Sequence, residues 1–146
     1  TDEAFFQGGL ADLEAARAAV TIPVLRKDFT IDELHVIEAA AHGADAILLI
    51  AAILDAEQMR RFRELASAYG MAALVEIHDE HELDSALASG AEIVGVDPAT
   101  DLALLKVAGA VLVAIGHLGT EHFDPYSAAD IQHARCDKQT SRRYRK

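Results

Sequence analysis

A single cysteine, Cys136, excludes an intrachain disulfide in this 146-residue chain and suits a reducing compartment. Basic residues are few. Thirteen Lys and Arg stand against 24 Asp and Glu, a net charge of -11. That balance argues against a nucleic-acid surface, which needs clustered Lys and Arg to displace the counterions of the phosphate backbone. No apolar run approaches the roughly 20 residues of a membrane span, and no signal-peptide pattern opens the chain. No membrane association is expected, and the cytoplasm is the expected compartment. A glycine-rich phosphate loop is also missing behind every apolar run, which argues against an open, doubly wound nucleotide-binding sheet. The first residue is Thr1 rather than Met, followed directly by an acidic, helix-opening pattern. The expectation is therefore a start inside a longer gene product.

What is present is the composition of a globular protein, 51% apolar and 25% charged. The charge is uneven. Between Arg135 and Lys146 lie six basic residues and one acidic one, Asp137, so the strongly acidic balance belongs to the preceding residues.

Three segments align by their glycines: Gly43-Ala44-Asp45-Ala46-Ile47-Leu48-Leu49-Ile50, Gly70-Met71-Ala72-Ala73-Leu74-Val75-Glu76-Ile77 and Gly90-Ala91-Glu92-Ile93-Val94-Gly95-Val96. Each follows a helical pattern. Glycine just past a helix tolerates a left-handed cap, and the short apolar run after it reads as a strand buried on both faces. Asp32 to His42 is expected to be helical with Leu34, Ile37, Ala40 and Ala41 as its apolar positions. Asp55 caps a predicted helix through Tyr69 with Met59, Phe62 and Leu65 on one face, and Asp79 caps Glu80 to Ser89 with Leu83 and Leu87. A further helix from Leu10 to Ala19 leads to a strand at Pro23-Val24-Leu25. Alternating strands and helices of this length imply parallel βαβ units, and with no phosphate loop a barrel is preferred over an open sheet. Such barrels typically have about 250 residues, so this chain is short for one.

Barrel chemistry sits at the C-terminal strand ends. Side chains alternate along a strand, so Leu25, Lys27 and Phe29 share one face while Arg26 and Asp28 share the other. Glu76 shares its face with the apolar Leu74 and Ala72, where a carboxylate is costly to bury without a partner or a task. Two readings stay open from these patterns alone: Lys27 and Glu76 as structural charges, or as an acid and base. His78 and His81 have a spacing that suits a metal, yet they straddle a strand end and a helix start beside Asp79 and Glu80, and a solvated cap with no metal is expected.

The segments Asp2-Glu3-Ala4-Phe5-Phe6-Gln7-Gly8, Pro23-Val24-Leu25-Arg26-Lys27-Asp28-Phe29, Gly43 to Ile50 and Leu74-Val75-Glu76-Ile77-His78-Asp79-Glu80 together resemble indole-3-glycerol-phosphate synthase, in order and spacing, over Thr1 to Val96. The resemblance implies about strands 3 to 6 of a (βα)8 TIM barrel, and a carboxy-lyase of tryptophan biosynthesis. That enzyme closes the indole ring of 1-(2-carboxyphenylamino)-1-deoxyribulose 5-phosphate with loss of carbon dioxide and water. It implies no cofactor and a small phosphosugar substrate. It further implies Lys27 as general acid on the substrate carbonyl, Glu76 as a proton-transfer group in the dehydration, and Phe6, Phe29 and Leu48 around the substrate ring.

The resemblance weakens after Val96. Asp97 stands at a substrate-contacting position where the family has asparagine, and its added negative charge opposes an anionic substrate. Ala99 replaces an arginine. Val111-Leu112-Val113-Ala114 echoes a seventh strand, but Ile115-Gly116-His117 follows in place of Glu-Ser-Gly. The expected organisation is a partial barrel over 1–96, a divergent segment over 97–134 and a disordered basic tail over 135–146. Truncation or a frameshift would explain this pattern. With strands lacking neighbours at both ends, self-association or a complementing barrel fragment is expected, either for an incomplete synthase or for a noncatalytic remnant.

Overall fold

Three aspartates set where the helices start. In the computed structural model, which describes residues 1–96 and the strand at 111–114, the carboxylates of Asp32, Asp55 and Asp79 accept the backbone N–H groups of Leu34, Gln58 and Glu82 at 2.9, 2.8 and 2.8 Å. Each cap satisfies a first-turn donor that has no partner inside the helix, a contribution of about 1 kcal/mol. After α1 (Leu10–Ala19) these caps open α2 (Glu33–Ala41), α3 (Ala56–Ala68) and α4 (Glu80–Ala88).

The same three helices end alike. Gly43, Gly70 and Gly90 have φ of 78, 75 and 78°, and the next residue's N–H reaches back to Ala39, Ala66 and Ala86 at 3.0, 2.9 and 3.1 Å. This closure satisfies the last carbonyls and turns the chain into the following strand. At Gly90 a side chain would also meet Arg63 Nη1 at 3.2 Å, because Arg63 lies across this turn to donate to the Ser89 carbonyl at 2.9 Å.

The strands are β1 (Leu25–Arg26), β2 (Ala46–Ile50), β3 (Ala72–Ile77), β4 (Ile93–Val96) and β5 (Val111–Ala114). All neighbours are parallel and their order in space is their order in sequence. A doubly wound sheet reverses its strand order at a switch point. Here the order never reverses, so crossovers of one hand lay their helices on one face, as in a barrel. The described strands form an arc of a parallel βα barrel. The segment at 111–114, which echoes a seventh strand in sequence, takes its place beside β4 with Ile93 level with Val111.

Residues level with one another in a parallel pair point to the same side, and successive residues alternate. Ile47, Leu49, Val75, Ile77, Val94 and Val96 therefore share the outer face, and all have 0% exposure. α3 packs on β2 and β3, and α4 on β3, with Met59, Phe62, Ala66 and Ala86 buried beneath them. The inner face carries Ala46, Leu48 and Ile50 on β2, Ala72, Leu74 and Glu76 on β3, and Ile93 and Gly95 on β4.

The expected apolar face of α2 is corrected. Val36 and Ala39 are its buried positions, whereas Leu34 is 61% and Ile37 39% exposed. Both sets have helical spacing, so periodicity alone does not choose between them. In the structure Arg26 on the outer face of β1 holds Glu38 at 2.7 Å and the His35 carbonyl at 3.0 Å, contacts that accompany the orientation burying Val36 and Ala39. On α4, Leu87 is likewise exposed while Leu83 packs partly against the core. Met59 and Phe62 on α3 are buried as expected.

This assignment of faces has a thermodynamic consequence. Leu49→Ala is expected to lower unfolding stability by about 2–5 kcal/mol through a core cavity. Leu34→Ala should change it by no more than about 0.5 kcal/mol. Urea titrations of the two variants would reverse the assignment if the order of their effects were reversed.

Candidate active site

Lys27 follows directly on β1, one residue past the last paired position, Arg26 level with Ile47. Alternation turns its side chain away from Arg26 and onto the inner face, where its Nζ lies 3.9 Å from the centroid of the Phe6 ring. That is well inside the distance at which an aromatic face attracts an ammonium group. Phe6 in turn lies 5.1 Å from Phe29 at a 33° tilt, and Phe5 meets Phe29 edge-on at 5.3 Å and 88°. Phe29 is fully buried at the centre of this trio, with Phe5 and Phe6 partly exposed. A cation thus sits over an aromatic wall built from the turn before α1 and the loop after β1. Phe5 has no separate signal in the sequence, although its neighbour Phe6 has one through the family resemblance.

The other face of the same segment is polar and buried. Arg26 and Asp28, both nearly inaccessible, pair at 2.9 Å, and Arg26 also pairs with Glu38 at 2.7 Å. The remaining bonds complete the fork: Arg26 Nε donates to Thr1 Oγ1 at 2.8 Å, Thr1 Oγ1 donates to Asp28 at 2.6 Å, and Asp28 Oδ1 accepts the Phe29 N–H at 2.7 Å. Two of the residues flanking Lys27 are therefore anchored behind it. Alternation puts Arg26 and Asp28 on one face, but Glu38, twelve positions beyond Arg26, carries no local signal of its role.

Glu76 ends the inner face of β3, level with Ile50 and Gly95, and is fully buried. Two residues on, His78 lies with Nε2 3.8 Å from Glu76 Oε1, while its Nδ1 is 2.9 Å from Glu82 Oε2. Sequence reasoning misses the pairing of His78 with Glu82, although four-residue spacing across a helix start is a signal for it. His81, the other member of the metal-like pair, is exposed. Among the described residues no group of three or more His, Cys, Asp and Glu is arranged to hold a metal ion.

Leu48 is buried on the inner face, level with Leu74 and with the position Lys27 occupies one residue beyond the pairing of β1. The structure thus brings Lys27, Phe6 and Phe29 into one cluster. It puts Leu48 and Glu76 on the same inner face. From ordinary strand spacings, the Lys27 and Glu76 backbones are about 12 Å apart, two strands across and two residues along. Asp97 lies outside the described residues, as do the segment 115–134 and the basic tail 135–146.

A family model described as indole-3-glycerol phosphate synthase matches residues 1–114, running past Val96 to the end of β5. The indole-3-glycerol phosphate synthase of Desulfotalea psychrophila is 59% identical over 97 residues, covering 66% of this chain and 37% of that protein. The one from Chlorobium phaeovibrioides is 43% identical over 134 residues, covering 85% and 52%. The chain thus spans between about a third and a half of the length of these relatives. In three dimensions it superimposes on a crystal structure of KGPDC from Streptococcus mutans, with a TM-score of 0.62 and 14% identity, over 97% of this chain and 83% of that one. At that identity the likeness is one of fold, and the fold is a TIM barrel.

Breaking the clamp behind Lys27 from one side should be costly. Arg26→Met leaves Asp28 buried without its cation and is expected to destabilise the chain by about 3–5 kcal/mol. The double change Arg26→Met with Asp28→Leu should recover most of that loss in a thermal or urea melt. A double variant as unstable as the single one would mean that packing, not the unpaired charge, carries the effect.

Proposed function

The chain belongs to the indole-3-glycerol phosphate synthase family, and on that premise we propose that its inner strand ends are the acid–base portion of that enzyme's site. The reaction closes the indole ring of 1-(2-carboxyphenylamino)-1-deoxyribulose 5-phosphate and releases carbon dioxide and water. The observation that carries the reading is the ammonium of Lys27 held 3.9 Å over Phe6, with Phe29 behind it.

An anthranilate-derived ring needs an apolar wall, and Phe6, Phe29 and Leu48 supply one. Ring closure makes a carbon–carbon bond to the substrate carbonyl, and the oxygen needs a proton as the bond forms. Lys27 donates it. Its flexible stem lets the ammonium leave the Phe6 ring for the carbonyl oxygen, while the anchored Arg26 and Asp28 keep its backbone still; such orientation is a large share of catalysis. Carbon dioxide then leaves the ring carbon, and the new hydroxyl is lost as water. Glu76, about 12 Å from Lys27 by backbone, takes part in proton transfer at the far side of the bound substrate. Asp97 is proposed to contact substrate. The substrate is a phosphosugar derivative, and the reaction scheme calls on no cofactor and no metal. The cytoplasm is the compartment proposed for it.

A second reading, a noncatalytic chain that associates with another copy or with a complementing barrel fragment, is favoured by one observation. On the inner face Ala72 is exposed and Leu74 and Ile93 are only partly covered, where a closed barrel packs its interior in layers.

Two measurements separate these readings. Purified chain incubated with 1-(2-carboxyphenylamino)-1-deoxyribulose 5-phosphate should form fluorescent indole-3-glycerol phosphate, and Lys27→Ala should reduce kcat by at least about 10²-fold, the usual scale of a general acid. Product formed equally by the variant would remove Lys27 from the reaction. Sedimentation velocity over a range of concentrations is expected to show self-association, and a monomer at every concentration would exclude it.

A further inference from the structure

His78 continues the alternation of β3 two residues beyond Glu76, and its ring is held from the far side by α4. Glu82 Oε2 accepts both the His78 backbone N–H at 2.8 Å and its Nδ1 at 2.9 Å. Glu82 is itself fixed, because its own N–H is the one capped by Asp79. A carboxylate only accepts hydrogen bonds, so the neutral imidazole must carry its proton on Nδ1. The other nitrogen, Nε2, is then a base directed at Glu76 Oε1, 3.8 Å away.

The burial of the three side chains is graded. Glu76 is 1%, Glu82 16% and His78 22% exposed. Glu76 lies too deep to exchange protons with bulk water directly, and His78 spans the distance between it and the surface. Among the described residues, β2 and β4 present Ile50 and Gly95 at the level of Glu76. Asp79 is engaged at the α4 cap, His81 and Glu80 are exposed, and Lys27 is the one cation that the described strand ends place on the same inner face.

We propose that His78 is a proton relay for Glu76, held in tautomer and orientation by Glu82. This rests on the reading of Glu76 as a proton-transfer group and adds the route by which it is reset. When Glu76 has taken a proton from the substrate, a small rotation brings Oε1 to hydrogen-bond distance of Nε2. The O–H bond breaks as the Nε2–H bond forms, and Glu76 returns to carboxylate. The imidazolium then passes its Nδ1 proton along the 2.9 Å contact to Glu82, which is 16% exposed and releases it to water. The reverse sequence loads Glu76.

Two experiments on the full chain test this. In the first, ¹⁵N-histidine NMR should show neutral His78 protonated on Nδ1, and Glu76→Gln should lower its titration midpoint by about one unit, since a charge 3.8 Å away is removed. An Nε2–H tautomer, or a midpoint indifferent to Glu76→Gln, would overturn the relay. In the second, His78→Asn keeps an N–H for Glu82 but has no second basic atom. It should lower kcat by about tenfold at unchanged KM and remove one limb of the kcat–pH profile, a modest share of ordinary acid–base effects. Unchanged kcat and profile would also overturn it. A wild-type chain without turnover would instead count against the proposed activity, and the NMR measurement alone would then decide the relay.

Discussion

The ion pair between Arg26 and Asp28 is the constraint on which the site depends. Both side chains are buried on the outer face of β1 and its following loop, where an unpaired charge would cost several kcal/mol. The pair can form only if the two residues point the same way, and alternation then forces Lys27 and Phe29 the other way, into the concave side of the sheet. A polar cluster whose side chains lie on the outer face thereby decides which side the lysine serves. It also reaches into α2 through Glu38 and the His35 carbonyl, so one guanidinium aligns a helix, a strand and a candidate acid. The desolvation it suffers is offset by a nearly complete set of hydrogen bonds, the condition under which buried arginine is tolerated.

The fold was legible where its signals are local. Asp32, Asp55 and Asp79 announce helix starts because capping needs one short side chain at one position, and Gly43, Gly70 and Gly90 announce helix ends because the positive φ there is strained for other residues. The face of α2 was not legible, since Leu34 with Ile37 and Val36 with Ala39 have equally good spacing, and the contacts that accompany the observed face run to Arg26 across the fold. Barrel against open sheet was decided in sequence only by a missing motif, and in the structure by strand order. Val111–Ala114, faint as a strand in sequence, pairs with β4 along its whole length. An apolar four-residue run becomes a strand here because β4 offers it an edge.

Of the candidate site, the residues were legible and their couplings were not. Lys27, Phe29 and Glu76 could be named from alternation at strand ends, and Phe6 and Leu48 from the family resemblance. The cation over Phe6 depends on the turn between Asp2 and Gln7, where the Phe6 N–H bonds to the Asp2 carbonyl at 2.8 Å and Gln7 takes a positive φ of 53°. No spacing rule foretells that turn, and it is what swings Phe6 over a lysine some twenty residues later in the chain. The pairing of His78 with Glu82 is local and could have been read, but the two histidines invite a comparison with each other instead of with the acid on the next turn.

The two ends of the inner face are built in contrasting ways, and the contrast suits a reaction with one proton donated and another moved later. Lys27 rests on a polarisable ring that attracts its ammonium, and on the proposed reading that attraction is weak enough to be given up for a carbonyl oxygen. Glu76 is set in a deep, mostly apolar row, with the His78 ring beside it on the strand and that ring's Nδ1 held by Glu82. A residue on a long flexible stem can travel to its substrate; one enclosed on a strand must have protons brought to it. Separate environments for two titratable groups are how a single fold assigns opposite roles to them. The parallel sheet makes that separation structural, since a shift of two strands and two residues changes the neighbours of a side chain while keeping it on the same face of the sheet.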